Sequence, residues 1–146
     1  MGGIHRSAPV VGSSEIEIDA APEAAWEVLT AIGSWPDWNP DVKSVSVGGA
    51  IHEGTEFRWK AGAGTITSTV EHVDAPRRIV WTGTSFGIKA IHVHTFEGRS
   101  RSTLVRTEES FDGLLARLFR GRLQRTLDAT LESELRHLKA EVEQRR

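Results

Sequence analysis

His92 and His94 stand two residues apart in the run Ile88 to Glu97, whose composition predicts a β-strand. Side chains two apart on a strand emerge from one face, so the two imidazoles would sit side by side. Such a pair can chelate a metal ion or supply a general acid and base near neutral pH. Either use needs a third group, such as His72 or a carboxylate. Nothing in the spacing shows one converging, and no metal and no cofactor is expected. The opposite face of the same strand carries Ile91 and Val93, an arrangement that would turn the histidines toward solvent. Glu109 shares a face of the last predicted strand with Val105, Thr107 and Phe111. It is a candidate acid or base if that face is inward, and an ordinary edge carboxylate near Gly113 otherwise. His92, His94 and Glu109 are thus the catalytic candidates, with catalysis itself left undetermined.

Phe57, Trp59 and Trp81 fall on strand faces that look apolar, where large aromatic side chains either pack a core or line a pocket for a flat ligand. With His92 and His94 they are the ligand-binding candidates. Arg117, Arg120, Arg122 and Arg125 crowd the start of the last predicted helix, where the helix dipole disfavours cations. They form either a solvated face or a contact for an anionic ligand or partner. No Ser-His-Asp order, phosphate-binding glycine loop or zinc-protease motif is present.

The elements that must carry these residues follow from period and punctuation. Ser14 to Asp19 alternates polar and apolar residues as a strand, and Pro22 then opens a short helix ending near Gly33. Trp35 to Pro40 suits one helical turn bounded by prolines. Val42 to Gly48 reads as a second strand, with Val42, Ser44 and Ser46 on one face and Lys43, Val45 and Val47 on the other. Further strands are predicted over Thr55 to Ala61, Thr65 to Val73, Ile79 to Thr84, Ile88 to Glu97 and Arg101 to Phe111. Beyond Gly113 the period changes: Leu115, Phe119, Leu123, Leu127, Leu131, Leu135, Leu138 and Val142 recur every three or four residues, as one long helix, bent near Gly121 if anywhere. This is an α+β pattern: a curved antiparallel sheet of about seven strands around a long C-terminal helix, with two short helices after the first strand.

Composition narrows the function classes. The 146 residues suffice for one domain, taken as residues 13–146 behind a flexible N-terminal segment 1–12. A net charge of −2 offers no general attraction to phosphate polymers, so nucleic acid is not an expected partner. The absence of cysteine excludes disulfides, thiolate metal sites and cysteine nucleophiles. No apolar run reaches bilayer length and no signal-peptide segment opens the chain; the expectation is a cytoplasmic protein without membrane insertion. A homodimer is left open.

Four stretches carry a resemblance over nearly the whole chain: Ile16-Glu17-Ile18-Asp19-Ala20-Ala21-Pro22-Glu23 with Trp26 and Leu29, Trp35-Pro36-Asp37-Trp38-Asn39-Pro40, Val73 to Trp81, and Glu109 to Leu115. In these the sequence resembles the polyketide cyclase/dehydrase-like branch of the START-related SRPBCC superfamily, which shares its helix-grip fold with the birch-pollen allergens. The resemblance implies a cavity between sheet and helix and little fixed chemistry. The expected function is binding or carriage of a small hydrophobic ligand, such as a polyketide-like aromatic, a lipid or an isoprenoid. Two alternatives stand beside it: a cyclase or dehydratase in which His92, His94 or Glu109 moves a proton, and a protein-interaction module using the arginine cluster.

Overall fold

The computed structural model describes residues 3–62 and 64–145. Strand β1 (Val10–Ile18) leads into helix α1 (Pro22–Thr30), a 3-10 turn (Ile32–Ser34) and the one-turn helix α2 (Trp35–Trp38). Six strands follow: β2 (Val42–Val47), β3 (Glu56–Ala61), β4 (Gly64–Asp74), β5 (Arg78–Ser85), β6 (Ile88–Gly98) and β7 (Thr103–Asp112). Helices α3 (Leu114–Leu118) and α4 (Arg120–Arg145) close the chain. The strands form one antiparallel sheet in the order β1-β7-β6-β5-β4-β3-β2. The α1–α2 segment carries the chain from one sheet edge to the other, and the meander returns it until β7 pairs with β1. With α4 packed against one face of a curved sheet, this is the helix-grip arrangement.

Two groups of side chains divide the gripped face. Leu135, Leu138 and Val142 of α4 pack with Ile18, Leu29, Trp35, Phe57 and other buried residues in the principal core, to which α1 and α2 also contribute. Leu131 and Leu127, one and two turns earlier, pack with Val10 and with half-buried Phe111 and Leu123. Among the described residues no element matching α1 and α2 fills the concave side at this second end. Helix and sheet come close together at Gly12, where a β-carbon would lie 3.0 Å from a Leu127 methyl and 3.1 Å from Asp128 Oδ1. Glycine is needed there to let the backbone and the helix meet.

Three local expectations are corrected. The segment 1–12 is not a loose tail over its described part: β1 begins at Val10, and buried Ile4 packs on Val80 and Val93 across the convex face of the sheet. His5 and Arg6 are anchored to Asp112 at 2.5 Å and Glu108 at 3.1 Å. In β2 the pairing shifts between Val42 and Ser44, a bulge that re-aims one residue. As a result Val42, Val45 and Val47 all reach the core instead of lying on opposite faces. The C-terminal helix is interrupted at Phe119, whose φ of −114° leaves the helical range, two residues before Gly121. The short α3 therefore leaves Leu114 and Leu118 71% and 65% exposed, and the packed stripe begins only after the break.

That division sets a stability contrast. Leu135→Ala truncates a fully buried side chain and is expected to cost about 2–5 kcal/mol, whereas Leu118→Ala should stay within about 0.5 kcal/mol. Urea melts of the two variants read this directly; equal losses would mean that the helix does not pack as described.

Candidate functional site

The unfilled end of the concave face is a cavity of about 690 Å³. Trp35, Trp59 and Trp81 wall it on the core side, Ile66, Ala90 and Phe111 on the sheet, and Leu123, Leu127 and Leu131 on α4. The aromatic wall is braced from behind. Trp35 meets Phe57 edge-on at 5.6 Å and Trp59 at 5.3 Å, and its indole N–H donates to the Leu29 carbonyl at 2.8 Å. Trp59 Nε1 donates to Ser68 Oγ at 3.0 Å, which fixes the plane of its ring beside the cavity. Exposed Lys43, Thr84, Phe86, Thr126 and Thr130 form the rim. At that rim the two-residue turn Phe86-Gly87 joins β5 to β6 with positive φ at both positions, the geometry of a tight hairpin. The Phe86 ring rests over Gly64, where a β-carbon would come within 2.4 Å of it.

The cavity's inner end is polar. His92 and His94 face the helix side from the interior strand β6, with ring centroids 4.4 Å apart. The register opposes His92 to Glu109 and His94 to Thr107 on β7. His92 Nε2 lies 2.6 Å from Thr107 Oγ1, and His92 Nδ1 lies 3.6 Å from Glu109 Oε1. Glu134 reaches in from α4, with Oε1 2.8 Å from His94 Nε2 and 3.8 Å from His92 Nε2. Trp81 stacks on His94 at 5.0 Å and 30°. Four ionisable side chains from both layers of the fold thus share one pocket end, of which His92, Glu109 and Glu134 border the cavity.

Their environment separates their protonation states. Burial, reinforced by the neighbouring His94, depresses the His92 pKa to about 3, so this ring is neutral at ordinary pH. Burial raises Glu109 to about 8, and the adjacent Glu134 carboxylate pushes the same way. Burial pushes Glu134 upward as well, but the charge and hydrogen bond of His94, with help from His92, outweigh it and hold this carboxyl below its usual range. The arrangement is an ionised Glu134, within hydrogen-bond distance of His94, beside a protonated Glu109 and a neutral His92.

Each candidate from the sequence now has a place. Trp59 and Trp81 wall the cavity, and His92 lies at its inner end. His94 is fully buried behind it. Phe57 is removed from the set of cavity contacts: it packs against Trp35 and Trp81 in the core and does not border the cavity. The histidines do not face solvent, because the Ile91 and Val93 side of β6 is covered by Ile4 and half-buried Val11 and is a second apolar face. Glu109 is not an edge carboxylate, since β7 lies between β1 and β6. His72 is elsewhere, half-exposed and 3.6 Å from Glu53. The four arginines Arg117, Arg120, Arg122 and Arg125 are exposed and do not border the cavity. The residue that the sequence reading passed over is Glu134. It follows Leu131 by three and precedes Leu138 by four, so it occupies a position on the apolar stripe, and a carboxylate there was the available signal.

These shifts have a pH signature. Between about 4.5 and about 8 the folded state keeps a proton on Glu109 that the unfolded chain has released, so this contribution to stability is lost as pH rises through that window. His92 acts oppositely: the unfolded chain takes a proton between about 6.5 and about 3 that the folded state refuses, so stability is lost as pH falls. The two oppose each other from about 4.5 to about 6.5, and above that Glu109 acts alone. Urea midpoints should therefore decline between about pH 6.5 and 8, and Glu109→Gln should flatten that decline. An undiminished decline in the variant would show that Glu109 is not the group responsible.

Comparison with known proteins bears on the same fold. The model of the family described as polyketide cyclase / dehydrase and lipid transport matches residues 10–143. No curated protein matches the sequence. Among solved structures, a hypothetical protein from Helicobacter pylori is similar with a TM-score of 0.84 at 15% identity, over 97% of each chain. A START superfamily protein from Mycobacterium smegmatis gives 0.74 at 17% identity, over 93% of this chain and 99% of that one. The Zhui aromatase/cyclase from a Streptomyces species gives 0.76 at 16% identity, over 92% and 94%. At these identities the likeness to solved structures is one of fold. The family match, spanning all seven strands and nearly all of α4, makes this chain a member of the polyketide cyclase / dehydrase and lipid transport family.

Proposed function

We propose that the protein binds a small, flat, largely hydrophobic molecule of the polyketide-like aromatic, lipid or isoprenoid kind in the cavity between sheet and α4. The observation that carries this reading is the cavity itself: about 690 Å³, within the range of roughly 300–1,000 Å³ usual for small-molecule sites, with indole and aliphatic walls. Its volume accommodates a ligand of several fused rings, and Trp59 and Trp81 offer faces for stacking. The inner end adds a direction. A protonated Glu109 donates a hydrogen bond and His92 offers a second polar contact, which suits a ligand that is apolar along its length and carries oxygen at one tip. No helix among the described residues is long and apolar enough to cross a membrane, consistent with a ligand carried inside the fold.

A cyclase or dehydratase reading draws on one specific observation, the placing of a carboxyl and an imidazole 3.6 Å apart at the cavity's end. In such a reaction one group removes a proton from a carbon next to a carbonyl, that carbon attacks a second carbonyl of the same molecule, and the other group protonates the oxygen of the attacked carbonyl. The hydroxyl so formed then leaves as water together with a further proton from the new ring bond, which becomes a double bond. A carrier returns its ligand unchanged. Incubation with a poly-β-ketone analogue, followed by mass spectrometry, separates the two: loss of one water per molecule, abolished in Glu109→Gln, marks the enzyme.

Occupancy is tested with the neutral fluorescent probe phenylnaphthylamine. The parent should bind it with enhanced probe emission and quenched tryptophan emission. Ala90→Phe, which projects a ring from the cavity wall, should weaken binding by at least about tenfold, corresponding to about 1.4 kcal/mol, with an unchanged circular dichroism spectrum. A folded Ala90→Phe variant that binds the probe as well as the parent would remove the cavity as the binding site.

A further inference from the structure

We propose that His92, His94 and Glu134 form a binding site for one divalent transition-metal ion of the zinc or iron class, with an open side toward the cavity. One atom from each of the three side chains lies within 4.8 Å of the others, and the three are buried or largely so. The two measured approaches to Glu134 Oε1, 2.8 Å from His94 Nε2 and 3.8 Å from His92 Nε2, bracket the separation of roughly 3.3 Å expected between ligands bound at about 2.0–2.1 Å in a tetrahedron. Side-chain rotations that draw the three ligand atoms, now within 4.8 Å of one another, toward a common centre would form the site, Thr107 Oγ1 turning away from the His92 ring. Two imidazoles with one carboxylate suit zinc, iron, cobalt or nickel; calcium and magnesium prefer oxygen donors throughout.

The framework favours a metal in three ways. Both histidines project from one interior strand and the carboxylate from the helix clamped over it, so the ligands are held by regular elements rather than loops. Glu109 Oε1, 3.6 Å from His92 Nδ1, stands where a carboxylate orients a metal-bound imidazole through its other nitrogen. Charge balance supplies the third. Two largely buried carboxylates, Glu109 and Glu134, lie beside the two imidazoles, so a dication held there would meet compensating negative charge. Three protein ligands leave at least one coordination position, and since His92 and Glu134 border the cavity, that position faces it. A ligand tip bearing one or two oxygens would meet the ion there, the pattern of a reactive rather than a closed structural site.

The test uses the full chain stripped with a chelator, dialysed, and titrated with cobalt(II) and zinc(II). The expected result is one equivalent per chain, with the intense visible bands of low-coordinate cobalt. His92→Gln and Glu134→Gln should each weaken binding at least about a hundredfold, and Glu109→Gln about tenfold or more. His72→Ala, outside the site, should bind as the parent does. Circular dichroism establishes that each variant is folded. If a substitution prevents folding, broadening of the His92 and His94 ring resonances by substoichiometric cobalt in the parent gives the same answer. No stoichiometric binding, or binding undiminished by His92→Gln and Glu134→Gln in folded proteins, overturns the proposal and leaves a proton-held cluster. Phenylnaphthylamine binding by the stripped protein is unaffected by this outcome, so the metal site and the hydrophobic cavity stand or fall separately.

Discussion

Everything in this fold depends on how much of one concave sheet face a single helix can cover. A seven-stranded antiparallel sheet exposes an apolar face that must be buried. Helix α4 lays a row of leucines along it, each worth about 1.5–3 kcal/mol when fully removed from water. At one end the row has help, because α1, the 3-10 turn and α2 bring Val28, Leu29, Ile32 and Trp35 into the same core. At the other end it has none, and the curvature of the sheet leaves more space than Leu127 and Leu131 can occupy. The cavity is the geometric remainder of an unequal division. Its boundary with the core is the wall of interlocked aromatic rings built around Trp35.

That boundary is also where the polar cluster sits, and its position has an electrostatic logic. A charge buried without a partner costs several kcal/mol, more than most single packing contacts return. His94 and Glu134 offset that cost by pairing with each other at 2.8 Å, while His92 and Glu109 avoid it by remaining neutral. Trp81 stacks on His94 and meets His92 edge-on, which keeps water from one side of the cluster. The opposite side looks into the cavity. The same four groups are therefore stable enough to persist inside the protein and accessible enough to meet whatever enters.

Much of this was legible beforehand and some was not, for identifiable reasons. The leucine stripe and the alternating strands carry their period openly, so the architecture, the inward direction of Trp59 and the long terminal helix could be read directly. The direction of His92 could not. Strand β6 is apolar on both sides, since Ile91 and Val93 pack beneath the N-terminal segment, and alternation cannot choose between two buried faces. Phe57 and Trp59 share a face, yet one is core and the other cavity wall, a difference set by how far along the strand the helices reach. The bulge at Val42 defeated a strict period of two. Glu134 was visible as a charge in the wrong place on an amphipathic stripe, but its partner lies forty positions away on a strand, and pairing across that separation belongs to tertiary structure.

The close approach at Gly12 gives the fold a shim. The hydrogen atom at this position is all that separates the edge strand from the Leu127 side chain, and it sets the clearance between helix and sheet at the end where the cavity lies. A methyl group there would press on the Leu127 and Asp128 side chains, so that either these side chains or the first turns of α4 must give way. Where the helix yields, the cavity deepens and Glu134, carried on the same helix, withdraws from His94. Pocket volume and the polar cluster thus meet at one glycine, which the sheet register sets opposite Glu109.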